Sequence, residues 1–216
     1  MQNNREGLLI VISGPSGVGK GTICKIILER NKNAKLSVSA TTRQKRQDDI
    51  EGVNYFFKTK EEFERMIENN EFLEYMQVFG MNYYGTPRAF VDEERRNGHD
   101  IILEIDVKGA KKVKELCPDA VLIFIAPPTM SDIKTRLLGR ETESQSEIER
   151  RFNEAFFEIG HMEQYDYIVV NDVIEKASKA ILDIIEAEKC RTSRNDELVK
   201  RFKEVIESYD ESSAGK

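Results

Sequence analysis

Residues that build disulfide frameworks and metal clusters are scarce in this sequence, which has three cysteines and two histidines among 216 residues. Cys24, Cys117 and Cys190 are widely separated, form no CxxC pair and have no group of histidines nearby. An odd number of such cysteines favours reduced thiols in a cytosolic protein over disulfides. His99 and His161 are isolated, and we assign a role to neither.

Long apolar runs and an excess of basic residues are also lacking. No run approaches the roughly 20 residues of a membrane span, and no apolar signal-peptide core follows the polar N-terminus. The 39 Asp and Glu outnumber the 33 Lys and Arg, for a net charge of -6, whereas general nucleic-acid binders carry basic surfaces. We therefore expect a cytoplasmic protein without nucleic-acid or membrane partners. The choice between monomer and homo-oligomer stays open.

The most informative segment is GPSGVGKGT at residues 14–22. The apolar run at 8–12 predicts a buried strand before it, and isoleucines at helical spacing predict a helix after it. Glycines at such a turn let backbone N–H groups surround an anion, and the helix N-terminus adds its positive end. Lys20 suits the β- and γ-phosphates of a nucleoside triphosphate. The residues predicted to bind it are Gly14, Pro15, Ser16, Gly17, Val18, Gly19, Lys20, Gly21 and Thr22.

One position departs from the usual phosphate-binding loop. Gly21 follows the lysine, where a Ser or Thr normally places a hydroxyl on magnesium, and Thr22 carries the first hydroxyl. Thr22 is therefore predicted only as a possible metal ligand. The alternative interpretation of the segment is a glycine-rich turn beside a surface lysine.

Apolar strands alternate with helical patterns along most of the chain. The predicted strands are 8–12, 35–39, 53–57, 72–78, 101–106, 120–125 and 167–170, and the predicted helices follow residue 22 and cover about 61–68, 108–116, 131–138, 148–159 and 174–206, the last with a break near 192–193. This alternation predicts an α/β fold, with a parallel sheet covered by helices on both faces. Ligands then gather at the carboxyl ends of the strands, where Gly14, Asp106 and Asn171 fall. The region 37–86 is predicted to be a β-rich insertion.

Phosphate-binding loops occur in GTPases, ATP-driven motors and small-molecule kinases. No NKxD-like run is present to read guanine in a GTPase, and no motor apparatus is evident at this length. A polar group of residues lies on the insertion instead, and an arginine-bearing loop comes late in the chain. Two phosphate-rich substrates held face to face would need both.

Eight motifs together resemble those of the guanylate kinase family, from Leu8 to about Ile185. They are GPSGVGKGT at 14–22, SVSATTR at 37–43, EGVNYFF at 51–57, NNEFLEY at 69–75, NYYGTP at 82–87, LEIDVKGA at 103–110, FIAPP at 124–128 and YDYIVVND at 165–172. The resemblance implies transfer of the γ-phosphoryl of ATP to GMP or dGMP, with Mg²⁺. It implies a guanylate-kinase-like domain at 1–190, with a GMP-binding insertion at about 37–86 and a mobile lid at about 138–150. A charged C-terminal helix and tail would occupy 191–216.

The resemblance also implies how GMP is held. Guanine presents two adjacent donors to a carboxylate, whereas adenine offers an acceptor and leaves a buried carboxylate unpaired. Glu74 matches the family's guanine-reading glutamate, and Glu104 stands where the family has an aspartate. The implied GMP contacts are Ser39, Arg43, Arg46, Tyr55, Glu74, Tyr84, Thr86, Glu104 and Asp106.

The loop that carries the phosphate-clamping arginines departs from the family pattern. Relatives commonly read RxPRPGE, whereas this chain reads RQKRQDD at 43–49. Two prolines and a glycine are missing, which predicts a more flexible loop around Arg46. Asp48 and Asp49 are expected to compete for the arginines.

The remaining site residues serve the transfer itself. The resemblance makes Lys20, Arg43, Arg140 and Arg151 catalytic, the last two as lid arginines with Arg136 nearby and Glu141 in place of a common glycine. Asp106 would hold Mg²⁺ through water, and Asn171 would lie near the adenine of ATP. Two alternatives stay open: a related module that binds a phosphorylated peptide in its GMP pocket, and a kinase with a different acceptor.

Overall fold

Helices and strands alternate through most of the computed structural model, which describes residues 6–78, 81–138 and 145–214. The chain divides into two units, Met1–Ile181 and Leu182–Lys216. The strands are β1 (Leu9–Ser13), β2 (Ala34–Leu36), β3 (Ala40–Thr41), β4 (Phe56–Phe57), β5 (Phe72–Val78), β6 (Asn82–Pro87), β7 (Asp100–Glu104), β8 (Val121–Ala126) and β9 (Tyr167–Val170). The α-helices are α1 (Lys20–Arg30), α2 (Lys60–Glu68), α3 (Arg88–Arg96), α4 (Val107–Leu116), α5 (Met130–Leu138), α6 (Gln145–Ile159), α7 (Ile174–Lys189) and α8 (Asp196–Ala214).

The larger unit contains a five-stranded parallel sheet in the order β2-β7-β1-β8-β9. Strand β1 lies in the middle, where Ile10 pairs with Ile102 of β7 and with Val121 of β8. Every residue of β1 is buried. A strand covered on both faces has no solvated side, which explains why its sequence is a continuous apolar run rather than an alternating one.

Three strands of this sheet end beside the segments that were expected to bind ligands. Gly14 follows β1, Asp106 lies two residues beyond β7, and Asn171 follows β9. Because all strands of the sheet are parallel, these residues lie at the same edge. The predicted α/β fold and the predicted position of these residues are both confirmed.

A second sheet, in the order β4-β3-β6-β5, is built from strands between residues 40 and 87, the region that the sequence analysis described as an insertion. Strand β6 pairs antiparallel with β3 and β5. Its core is aromatic: the Phe63 ring stacks on Phe72 with centroids 4.4 Å apart and on Tyr83 at 5.2 Å. Helix α2 supplies Phe63 and begins with a capping box between Thr59 and Glu62, which satisfies two backbone donors of the first turn.

Three predicted strands are shorter in the structure, and the one predicted at 101–106 ends two residues early, at Glu104. The segment expected at 53–57 is a strand only at Phe56–Phe57, because the amides of Val53 and Asn54 donate to the Ile50 carbonyl and close a turn. The segment expected at 35–39 is divided. Strand β2 belongs to the parallel sheet, whereas the backbone beyond it crosses to the second sheet, where the Ser39 carbonyl accepts from Phe56.

The smaller unit contains the end of α7 and all of α8. A 3-10 turn at Thr192–Arg194 separates them, where the sequence predicted a break. The carboxylate of Glu188 is 1% exposed and accepts hydrogen bonds from Arg191 and Arg194. Helix α8 continues to Ala214, eight residues beyond the predicted end of the helical segment at 206.

The predicted lid at 138–150 falls partly outside the described residues. Positions 139–144 are not described, and residues 145–150 form the first turns of α6. Among the described residues, no helix is long and apolar enough to cross a membrane. The three cysteines are free thiols.

Leu103 in β7 provides a test of the core. Its side chain is 1% exposed and packs with Leu9, Val11 and Leu122. We expect Leu103→Ala to lower the free energy of unfolding by about 2–5 kcal/mol, because it leaves a cavity in a close-packed interior. Urea denaturation measures the change.

The matched control is Leu116→Ala, since Leu116 is 53% exposed. This change should lower the free energy of unfolding by less than about 1 kcal/mol. Equal losses for the two variants would contradict the assignment of the core.

Candidate active site

The glycine-rich loop between β1 and α1 depends on residues without side chains. Gly14 has φ +146°, and a Cβ there would lie 2.3 Å from the Ile125 carbonyl oxygen on β8. Gly19 has φ +98° in the left-handed region and caps the N-terminus of α1. A side chain at either position would be strained or would collide, so the loop backbone can approach β8 only with glycine present.

Two polar side chains hold this loop. Asn171, buried at the end of β9, donates from Nδ2 to the Val18 carbonyl over 2.7 Å. The Lys20 ammonium group donates to the Gly14 carbonyl over 2.5 Å and to the Pro15 carbonyl over 3.3 Å. Burial lowers the pKa of Lys20, and the nearby carboxylates of Glu158 and Glu104 oppose that shift. The lysine therefore lies folded against the loop that would bind a phosphate.

A cavity of about 550 Å³ opens beside the loop. It is lined by Ser16, Met76, Asp106, Val107, Lys108, Arg150, Arg151, Glu154, Phe157 and Glu158. Asp106 accepts a hydrogen bond from the Gly109 amide at 2.8 Å and so caps the N-terminus of α4. The cavity brings together three of the predicted site residues: Ser16, Asp106 and Arg151.

Glu158 also lines this cavity, although the sequence analysis did not select it. Burial raises the pKa of its carboxyl group to about 7, while the positive charge of Lys20 opposes the shift. Arg151 and Glu158 are seven residues apart on α6, a spacing that places two residues on the same face of a helix. In the sequence, Glu158 could have been found from this spacing, because the family resemblance had already identified Arg151 as a site residue.

A second cavity, of about 150 Å³, lies between the two sheets of the larger unit. It is lined by Leu36, Ser37, Ser39, Asn54, Tyr55, Thr86, Leu103, Glu104 and Ile105. Four of the residues that the sequence analysis assigned to one ligand line it: Ser39, Tyr55, Thr86 and Glu104. The predicted Tyr84 is adjacent, since its ring meets the Tyr55 ring edge-on with centroids 5.8 Å apart.

Glu74 and Thr86 form a buried pair across β5 and β6, where they are register partners. The Thr86 hydroxyl donates to Glu74 Oε1 over 2.7 Å, and the two residues are 6% and 1% exposed. Burial raises the pKa of Glu74, and the Thr86 hydrogen bond opposes the shift. A buried carboxylate is stabilised by a ligand that donates further hydrogen bonds to it.

Arg43 lies at the start of the loop that departs from the family pattern. Its Nη2 donates to Asp49 Oδ2 over 2.9 Å, and its guanidinium carbon is 5.3 Å from the Tyr55 ring centroid. Asp49 Oδ2 also accepts from the Arg46 amide over 2.7 Å. The side chain of Arg46 is exposed. One carboxylate oxygen thus closes the loop that lacks the prolines and the glycine.

Gly21 and Glu104 are complementary in size. A Cβ on Gly21 would lie 3.6 Å from both carboxylate oxygens of Glu104. The longer acidic side chain at 104 therefore reaches the first turn of α1, where residue 21 has no side chain. Thr22 is exposed in that turn. Within the described part of the chain, no group of three His, Cys, Asp or Glu residues could hold a metal ion by itself.

The model of the guanylate kinase family matches residues 6–188 of this chain. The chain belongs to the guanylate kinase family. It is 51% identical over 204 residues to a guanylate kinase of Caldanaerobacter subterraneus subsp. tengcongensis and 50% identical over 203 residues to one of Clostridioides difficile. Each alignment covers 94% of this chain and 98% of the relative.

A solved structure supports the same assignment. The crystal structure of guanylate kinase from Anaplasma phagocytophilum matches with a TM-score of 0.70 and 37% identity, over 88% of this chain and 90% of that one. Members of the guanylate kinase family are nucleoside monophosphate kinases. The family resemblance inferred from the sequence motifs is therefore confirmed.

The structure does not describe the side chains of two arginines that the family resemblance selected. Arg140 lies outside the described residues, and Arg136 is on α5, where its side chain is not described. Their roles in a guanylate kinase lid stay predictions. Glu74 lines neither of the two cavities described above; it lines a third, of about 300 Å³, beside β5 and α4.

The close approach of Gly14 to β8 generates a prediction. We expect Gly14→Ala to lower the free energy of unfolding by about 1–3 kcal/mol, because a Cβ 2.3 Å from the Ile125 oxygen forces the loop away from the strand. Chemical denaturation measures the loss.

Gly160→Ala is the control. Its Cβ would meet only ordinary contacts at 3.4 Å or more, and its effect should stay within about 0.5 kcal/mol. If Gly14→Ala were as mild as the control, the loop would not need its close contact with β8.

Proposed function

We propose that this chain transfers the γ-phosphoryl group of ATP to GMP or dGMP, with ADP and GDP or dGDP as products. The observation that carries the proposal is that residues at the end of β7 line two separate cavities. Glu104 lines the smaller cavity and Asp106, two residues later, lines the larger one beside the phosphate loop. Two nucleotides bound in these cavities would direct their phosphates toward each other.

Recognition of guanine is assigned to the buried carboxylate. The N1–H and N2–H₂ groups of guanine would donate to Glu74, and Thr86 already holds Oε1 of that residue in place. Adenine has an acceptor at N1 and would leave the carboxylate unpaired, which carries a large penalty in a buried site. Thr86, the hydrogen-bond partner of Glu74, lines the smaller cavity together with Ser39 and Glu104, and these two complete the proposed contacts with the base.

The phosphate of GMP is assigned to the arginine loop. Arg43 presents a planar guanidinium group whose geometry suits two phosphate oxygens at once. Tyr55 and Tyr84, whose rings are in contact, would donate their hydroxyl groups. Arg46, exposed on the same loop, supplies a second positive charge.

ATP is assigned to the glycine-rich loop. The loop amides and the N-terminus of α1 would surround its β- and γ-phosphates, and Lys20 would turn from the Gly14 and Pro15 carbonyls to those phosphates. Arg151 faces the larger cavity, where charge spreads over the transferred phosphoryl group. We propose that Arg140 and Arg136 join it when the lid closes, and that Asn171 lies near the adenine.

Magnesium fits this arrangement as an ion carried by ATP. It usually keeps several waters and uses only one or two protein carboxylates, and Asp106 presents a carboxylate at the larger cavity. Bound there, it would neutralise charge on the β- and γ-phosphates. Asp106 would hold it through water, and the exposed Thr22 hydroxyl is a possible direct ligand. We also propose a cytoplasmic location, without nucleic-acid or membrane partners.

Two alternatives are tested by one experiment. A phosphopeptide-binding module would need no ATP loop, and this chain keeps the loop glycines and Lys20. A kinase with another acceptor is suggested only by Glu104 and the altered arginine loop. ADP formation is measured with ATP and each of GMP, dGMP, AMP, UMP and CMP, and we expect turnover with GMP and dGMP only. Turnover with none of them, together with phosphopeptide binding, would exclude the enzyme.

Lys20→Ala tests the ATP side. We expect kcat with GMP to fall at least about a hundredfold, because the variant loses the positive charge that stabilises the negative charge on the transferred phosphoryl group. Lys25→Ala, on an exposed position of the same helix, should retain wild-type turnover and stability. Comparable activity in the two variants would show that the loop has another role.

Glu74→Gln tests the acceptor side and its pH dependence. One acceptor becomes a donor that faces the donors of guanine, so KM for GMP should rise about tenfold to a hundredfold. Because burial raises the pKa of Glu74, the wild-type carboxyl group gains a proton at a higher pH than an ordinary glutamate. KM for GMP should therefore rise as the pH falls through that pKa.

Steady-state assays across a pH series measure this effect. The Gln variant has no proton to gain at this position, so its KM should lack the part of the pH dependence that belongs to residue 74. An unchanged KM, or an identical pH profile, would place recognition of guanine elsewhere.

A further inference from the structure

Asp49 contacts the arginine loop at two points through a single oxygen. Its Oδ2 accepts from Arg43 Nη2 at 2.9 Å and from the Arg46 amide at 2.7 Å. The Asp49 amide donates in turn to the Arg46 carbonyl over 3.1 Å. The side chains of Arg43 and Asp49 are 15% and 14% exposed, so solvent has little access to the ion pair. The pair links both ends of the loop.

Further contacts fix the orientation of the Arg43 guanidinium group. Its Nη1 donates to the Gln44 carbonyl over 2.9 Å, and its carbon lies 5.3 Å and 5.6 Å from the ring centroids of Tyr55 and Phe57. A guanidinium group has five N–H donors. The hydrogen bonds to Asp49 and Gln44 use two of them and leave three for a ligand.

We propose that Asp49 is a positioning residue, which holds the Arg43 guanidinium group and the Arg46 backbone in the arrangement that receives the phosphate of the acceptor nucleotide. This proposal rests on the proposed function. Position 49 is acidic in the family pattern too, and here its contacts close a loop that lacks the prolines and the glycine of that pattern. A loop held in its binding conformation loses less conformational freedom when the ligand arrives.

The opposite role would be competition, in which Asp49 occupies Arg43 until GMP displaces it. The contacts favour positioning, because one oxygen of Asp49 engages one edge of the guanidinium group and the same oxygen holds the loop backbone. The hydrogen bond from the Arg46 amide, followed by that from Arg43, lowers the pKa of Asp49. The carboxylate thus stays ionised at neutral pH, which keeps both bonds charge-assisted.

Asp48 provides a matched control. It has the same charge, lies one position away and is exposed. In the part of the chain that the structure describes, its side chain makes no hydrogen bond or ion pair with either arginine. Replacing Asp48 or Asp49 by Asn removes one negative charge from the same loop, so a difference between the two variants reports on the contacts rather than on the charge.

The experiment measures KM for GMP at saturating ATP, KM for ATP at saturating GMP, and kcat, in Asp49→Ala, Asp49→Asn and Asp48→Asn. We expect KM for GMP to rise about tenfold in Asp49→Ala and about threefold in Asp49→Asn, which keeps an acceptor oxygen. Asp48→Asn should stay within about twofold of the wild type. KM for ATP should be unchanged in all three.

Each other result overturns the proposal. A lower KM for GMP in the Asp49 variants would show competition, and an unchanged KM would show that the contacts have no part in binding. Equal effects in Asp48→Asn and Asp49→Asn would reduce the role to charge. A parallel rise of both KM values would indicate general damage to the fold.

Two controls, thermal unfolding and the GMP turnover of the wild type, distinguish a failure of this proposal from a failure of the proposed function. Thermal unfolding checks each variant, and if Asp49→Ala does not fold, the near-isosteric Asp49→Asn is compared with Asp48→Asn alone. A wild-type chain without GMP turnover overturns the proposed function and, with it, the role of Asp49. A wild-type chain that uses GMP, alongside Asp49 variants that match it, overturns only the positioning role.

Discussion

Contact between the backbone of the phosphate loop and strand β8 is the constraint on which the rest of the site depends. Gly14 approaches the Ile125 carbonyl so closely that no side chain fits between them. Asn171 anchors the other half of the loop through the Val18 carbonyl. The loop is thus held by two strands besides the one that leads into it, and the direction of α1 follows. Lys20, Gly21 and Thr22 then take their positions from the first turn of that helix.

Strand β7 links this loop to the acceptor side. Its last residue, Glu104, extends to the space over Gly21, and Asp106 caps α4 just beyond it. Helix α4 in turn contacts the insertion, since a Cβ on Gly109 would lie 3.3 Å from Glu74 Oε2. Short-range contacts at the end of β7 and the N-terminus of α4 therefore connect the residues proposed to bind ATP with those proposed to bind GMP.

The sequence was sufficient for the fold wherever burial produces an unmistakable pattern. Strands β1, β8 and β9 are short apolar runs because the sheet is covered on both faces, and they were predicted to within one residue. The short strands of the insertion were harder, because turn residues such as Val53 have strand-forming side chains and local hydrogen bonds decide their conformation. Family motifs led to Glu74, Tyr55 and Arg43, whose contacts across strands no single-sequence pattern encodes.

Other features depend on tertiary contacts that motifs do not describe. Glu158 becomes unusual only through its burial beside Lys20. Asp49 was expected to compete for the arginines, and its hydrogen bond with the Arg46 amide is a contact that the loop sequence did not indicate. The size complementarity of Gly21 and Glu104 joins residues more than eighty positions apart. In the sequence, Gly21 was a departure from the usual phosphate-binding loop and Glu104 a separate departure from the family pattern.

The base of the insertion has a mechanical consequence. Leu73 of β5 is packed into the same core as Leu9 and Val11 of the parallel sheet, and Lys112 donates to the Tyr75 carbonyl over 2.9 Å. These two attachments flank Glu74 in the sequence of β5. A rotation of the insertion about them would displace Glu74 less than the arginine loop. The base of a bound nucleotide would stay in register while its phosphate travels.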